Sequence, residues 1–162
     1  MNWTDYFFNL VYLVAMKSKD MSTHIGAIIV DSKKRIISCG YNGFPRGTID
    51  SMPEKQERPK KYFWVTHAEL NAILNASRSV EGCIMYTNGI PCTECAKAII
   101  QSGIQKVVVD KEWQEKSKIL WKDKWEEHAR ITKEMFREAD VNLVEMTFKP
   151  ITIQKYMRGE KF

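Results

Sequence analysis

The sequence has no apolar run of membrane-spanning length. Its longest, Tyr6 to Met16, is broken by Asn9 and covers 11 residues, against the roughly 20 that a membrane helix needs. A secretory leader is a poor fit as well: Asp5 stands where a basic n-region belongs, and Lys17-Ser18-Lys19-Asp20 follows with no small-residue cleavage site. These absences point to a cytoplasmic protein. Its four cysteines, Cys39, Cys83, Cys92 and Cys95, are then expected in reduced form, so a close pair among them reads as metal-binding or redox-active before it reads as a disulfide. No block of one charge sign is present either. The net charge of +5 is spread thinly, and the segment richest in tryptophan, Lys111 to Asp140 with Trp113, Trp121 and Trp125, holds eight basic and eight acidic residues. That balance describes a solvated helix face and argues against a nucleic-acid polymer as partner. A small anion beside residues 31–65, where most of the excess charge lies, is compatible with it. There is no internal repeat, low-complexity tract or linker.

What is present fits one domain spanning residues 1–162, large enough to bury a core without disulfide staples. The basic end from Lys149 to Phe162 is expected to be a partly ordered tail. Phe7, Leu10, Val11 and Val14 recur at helical spacing from Trp3 and mark a first helix ending near Lys19. Ile25–Val30 and Arg35–Tyr41, joined by a short polar turn, read as a hairpin. The stretch from Gly40 to Gly47 is rich in glycine and opens a long polar loop. Helices are expected at His67–Ala76 and Cys92–Gln101, and strands at Cys83–Thr87, Ile104–Asp110 and Val141–Met146. One long helical region, patterned by Trp121, Trp125, His128 and Phe136, reaches Ala139. Strands alternating with helices give an α/β domain of three layers.

Two signatures carry chemistry. His67-Ala68-Glu69 and Pro91-Cys92-Thr93-Glu94-Cys95 each stand at an expected helix start, and together they resemble the H-x-E…P-C-x-x-C pattern of zinc deaminases. Cys92 and Cys95, at i and i+3 on one helix face, can reach one Zn²⁺ with His67 as the third ligand, which leaves a fourth position open to water. Glu69 then serves as the acid and base of a hydrolytic deamination. Either half alone is weak: a lone C-x-x-C also fits a redox pair or half of a structural zinc site in a non-catalytic binding module. Cys39 and Cys83 are expected to be buried strand cysteines, His24 and His128 polar-face or packing residues, and Trp113 a packing residue more than a stacking one.

With Gly40-Tyr41-Asn42-Gly43-Phe44-Pro45-Arg46-Gly47 and the flanks of His67 added, the sequence resembles the deoxycytidylate (dCMP) deaminases of the cytidine deaminase superfamily from about Trp3 through Val109. The resemblance implies a cytidine-deaminase-like three-layer α/β/α fold on a five-stranded mixed sheet, and a homohexamer converting dCMP to dUMP. It also implies activation by dCTP and inhibition by dTTP, with Mg²⁺ accompanying the triphosphate. By the same resemblance Asn42 binds the sugar 3′-hydroxyl and the Ala68 N–H binds the base carbonyl. Gly40, Tyr41, Gly43, Phe44 and Gly47 lie near an effector nucleotide at a subunit interface. Lys17 is the candidate for the substrate phosphate, standing where the family often has arginine. The runner-up chemistry is a deaminase of a base in tRNA or single-stranded nucleic acid, which the charge count disfavours.

Overall fold

Alternating apolar side chains along three inner strands set the architecture. In the computed structural model, which describes residues 1–120, 122–153, 156–157 and 160–161, the order is α1 (Trp3–Ala15), β1 (Gly26–Val30), β2 (Ile36–Tyr41), α2 (Pro53–Gln56), α3 (Lys61–Trp64), α4 (Ala68–Leu74), β3 (Ile84–Thr87), α5 (Thr93–Gln101), β4 (Lys106–Asp110), α6 (Lys111–Leu120), α7 (Lys122–Glu138), β5 (Asn142–Met146), β6 (Tyr156–Met157) and β7 (Glu160–Lys161). Five strands form one sheet in the order β2-β1-β3-β4-β5, and β6-β7 form a separate pair. β1 runs antiparallel to β2 and β3, whereas β3, β4 and β5 are parallel, so the sheet is mixed.

The period of two along a strand divides the core. Ala27, Ile29, Met85, Val107 and Val109 face α4, α5 and α7, where they meet Ala68, Ala72, Ala96, Ile99 and Phe136. Ile28, Val30, Tyr86 and Val108 face α1, where they meet Phe7, Phe8 and Val11. Helices on both faces leave β1 buried along its whole length, which is why it reads as an unbroken apolar run. Each fully buried Phe, Ile or Val contributes about 1.5–3 kcal/mol relative to exposure.

α1 starts where the Asn2 side chain accepts the Asp5 N–H at 2.8 Å, an N-cap of the ordinary kind. It stops at Ala15, short of the expected Lys19. The Ser18 hydroxyl donates to the Asn42 carbonyl at 2.9 Å, and the Asp20 carboxylate accepts the N–H groups of Ser22 and Thr23, so local hydrogen bonds pull the chain out of the helix. The expected long helical region to Ala139 comprises α6 and α7, with Trp121 and the Trp125 side chain outside the described residues. Of the expected tail, Lys149 and Ile151 are tied to α1: the Asn9 amide donates to the Lys149 carbonyl and accepts the Ile151 N–H, while Asp5 accepts the Lys149 N–H.

α4 presses closely on the edge strand β2. A Cβ on Gly40 would lie 2.3 Å from the Ala72 nitrogen and 2.4 Å from the Ala68 oxygen, so only glycine allows the approach. Asn71 and Asn75 donate to the carbonyls of Tyr41 and Cys39. Cys39 itself is exposed, against the expectation of burial. α4 covers the face of β2 that carries Ser38 and Gly40, and Cys39 points the other way at the sheet edge. Cys83 is buried as expected.

Candidate active site

α4 and α5 begin side by side, and the residues that precede them carry the site. His67 is the residue before α4, in extended backbone (φ −72, ψ 155), and Cys92 is its counterpart before α5 (φ −67, ψ 167). Both were expected inside their helices. The difference has a chemical consequence: with His67 off the helical track, Glu69 in the first turn of α4 can face the same point as the imidazole. At the other helix Cys95 sits in the first turn, three residues past Cys92. The Cys92 sulfur lies 3.3 Å from His67 Nδ1 and the Cys95 sulfur 3.5 Å from it. All three ligand atoms fall within 4.8 Å of one another, the only such group of three among the described residues. A tetrahedral zinc with ordinary bond lengths spaces nitrogen and sulfur ligands about 3.6 Å apart. Two sulfurs and an imidazole at these separations therefore fit a zinc ion, and that donor set favours zinc over the hard oxygen-seeking cations.

Glu69 completes the cluster. It is 6% exposed, and the Cys95 thiol approaches its Oε2 at 3.7 Å. Burial pushes its carboxyl above the usual range, against the opposing pull of the His67 charge. The Cys95 thiol, donated to Cys92, holds the Cys92 sulfur as a thiolate well below the usual thiol range, and His67 and the Cys95 backbone N–H add to the effect. The Cys92 sulfur in turn raises His67 to about 9 against the cost of burial. Cys95 is pushed up by its bond to Cys92, by burial and by the neighbouring Glu69.

The other expected residues divide between two places. Ala68 is the first residue of α4 and buried, so its N–H belongs to the helix-start donors that lack an intrahelical acceptor. Asn42 is buried, and its amide is already engaged: it accepts the Ile25 N–H at 2.8 Å and donates to the Thr23 carbonyl at 2.9 Å. Its role in the frame is to fasten β2 to the start of β1. Lys17 is exposed and lines a surface pocket of about 230 Å³ together with Lys19, Tyr41, Gly43, Phe44, Arg46 and Gly47. The structure thus groups Lys17 with the glycine loop, and His67, Cys92 and Cys95 do not line that pocket. Gly40 is not in the pocket lining, because β2 buries it under α4. Trp113 is half-buried on α6, its ring 6.3 Å from that of Tyr12. His24 and His128 are exposed.

Sequence reasoning missed a buried ion pair at the edge of the site. Lys61 donates to both oxygens of Asp20 at 2.9 and 2.8 Å, and both side chains are nearly sealed from solvent. Burial pushes the Asp20 carboxyl up, but Lys61 and the N–H groups of Ser22 and Thr23 hold it below the usual range. A lysine in a polar loop carries no periodic signal that would have marked it as buried.

An acid placed beside an imidazole and two thiols at converging helix starts, on this mixed sheet, defines the class of metal-site deaminases. The chain belongs to the cytidine and deoxycytidylate deaminase family: residues 1–111 match the model described as the cytidine and deoxycytidylate deaminase zinc-binding region. It is 40% identical over 153 residues to an uncharacterized deaminase in the luxG 3′ region of Aliivibrio fischeri, covering 94% of this chain and 97% of that protein. It is 46% identical over 114 residues to the deoxycytidylate deaminase of Pongo abelii and 44% to that of Homo sapiens, covering 67% of this chain and 64% of each relative. In fold it resembles the dCMP deaminase of cyanophage S-TIM5, solved with dCMP and dUMP, at a TM-score of 0.66 and 22% identity over 88% of this chain and 96% of that one. No helix among the described residues is long and apolar enough to cross a membrane.

Proposed function

We propose that this chain is a zinc-dependent hydrolase that converts dCMP and water to dUMP and ammonia. The observation that carries the reading is the convergence of His67, Cys92 and Cys95 within 4.8 Å, with the buried acid Glu69 against them. Identity of 44–46% to deoxycytidylate deaminases supports the nucleotide as substrate. His67, Cys92 and Cys95 would hold the ion, which when bound supplies a Lewis acid that makes water reactive near neutral pH. The rest of the chemistry belongs to Glu69. Its desolvated carboxyl, with its affinity for the proton raised, takes a proton from water and delivers it to the ring nitrogen beside the C–NH₂ carbon. The oxygen left by that water forms the C–O bond at the same carbon; the carboxyl then carries the proton of the new hydroxyl to the amino group, the C–N bond breaks, and ammonia departs to leave the carbonyl of dUMP. The Ala68 N–H, among the helix-start donors without an intrahelical acceptor, would hold the base carbonyl while this occurs. The same family reading extends to a cytoplasmic homohexamer regulated by dCTP and dTTP. The pocket of Lys17, Arg46 and the glycine loop offers cations to an anionic effector, with Lys19 paired to Asp50 in the same lining.

Ammonia release measured across deoxycytidine, CMP, dCMP, dCTP and a tRNA tests the reading. Turnover confined to dCMP, and lost in Glu69→Gln with zinc content unchanged, is the expected result. Activity confined to the unphosphorylated nucleoside or to tRNA contradicts it.

A further inference from the structure

Cys92 is gripped on both sides by a helix that lies beyond the family motif. The Thr132 hydroxyl donates to the Pro91 carbonyl at 2.9 Å, and Thr93 Oγ1 lies 3.1 Å from His128 Nδ1. Residues 91 and 93 flank the ligand. His128 and Thr132 are four apart on α7, so one face of that helix meets the chain immediately before and after Cys92. The Pro91 carbonyl precedes α5 and so takes no part in the helix ladder, and Pro91 is itself buried. A buried carbonyl requires a donor, and Thr132, with 0% exposure, supplies it. Fixing the Pro91–Cys92 peptide plane fixes the backbone from which the Cys92 sulfur projects toward His67.

We infer that Thr132 is a positioning residue for the Cys92 metal ligand, with His128 as its weaker, solvent-exposed companion, and that α7 sets how tightly the ion is held. The inference rests on the zinc reading above. Groups that orient a ligand from outside the metal's own shell typically change metal affinity about 10–100-fold when removed. Thr132→Val keeps the shape and the β-branch but removes the donor, whereas Thr132→Ser keeps the donor. Phe136→Leu trims the core-facing side of the same helix and leaves both contacts near Cys92 in place.

The test measures the rate at which the zinc-loaded protein gives up its metal to a chromophoric chelator, alongside melting temperature. Thr132→Val is expected to release zinc about 10–100-fold faster than the parent, Thr132→Ser to restore the parent rate, and His128→Ala to fall between them. Phe136→Leu is expected to lower the melting temperature without a matching change in release. Release that is unchanged in Thr132→Val, or equally accelerated in Phe136→Leu at the same loss of melting temperature, overturns the inference while leaving the zinc reading intact. A parent protein that takes up no zinc overturns the zinc reading itself, and this inference with it.

Discussion

The first 110 residues and the segment from Lys111 onward contribute different things. The first region carries all the reactive groups on short, stereotyped placements: an imidazole and a thiol just outside two helix starts, an acid and a second thiol in the first turns. It is also the part that matches the family model. Among its described residues the second region adds no member to the group of ligand atoms, yet α7 touches the chain on either side of Cys92, and Lys149 and Ile151 lie along α1 through Asn9. The chemistry is encoded locally, while its rigidity is supplied from far along the chain. The hydrogen bond from Thr132 to Pro91 spans 41 residues.

If that division is right, damage to the first region should be large and should reach the site, and damage to the second should be smaller and local. Lys61→Met leaves Asp20 buried without its counter-charge, and loss of one partner of such a pair costs about 3–5 kcal/mol. Urea denaturation at neutral pH measures it. Because the folded carboxyl of Asp20 titrates below its ordinary 3.8, its stabilisation is complete above that value and is lost as pH falls through the lower folded value. The gap between parent and Lys61→Met should therefore narrow on acidification, and a constant gap would show that the pair's charge is irrelevant. Asn9→Ala removes both bonds to the strap at Lys149 and Ile151, a loss of about 1 kcal/mol each. Amide exchange should speed up at Ile151 and stay unchanged at two residues of the site, Cys95 and Asn71, the second of which donates its N–H to the His67 carbonyl. Faster exchange at those two site residues would mean the regions are not separable as described.

The same contrast explains what could be read from the sequence. The sheet strands and the helices that follow His67 and Cys92 can be read from periodicity and spacing, because each depends on neighbours a few residues away. The joining of His67 and Glu69 to Cys92, 25 residues beyond His67, rests instead on the resemblance of the two signatures to one pattern. Errors arose where a distant partner decides. Cys39 looked buried because an apolar strand pattern does not reveal which face of an edge strand is covered. Gly40 looked like a ligand-loop glycine because its closeness to Ala72 depends on where α4 lands. α1 ends before the point its apolar spacing indicates because Ser18 finds its acceptor at Asn42. Thr132 and Lys61 left no pattern at all, since a hydroxyl donated to a distant carbonyl and a lysine folded over a distant aspartate obey no period.

The most direct measurement removes the metal and returns it, following proton release and dCMP turnover together. Because thiolates and neutral imidazole are the forms that bind a metal, and the Cys92 sulfur strengthens the hold of His67 on its proton, binding a single zinc ion at neutral pH should expel protons. It should also restore deamination from a chelated, inactive protein. Full turnover by the metal-free protein, or zinc uptake with no proton released, would contradict the account.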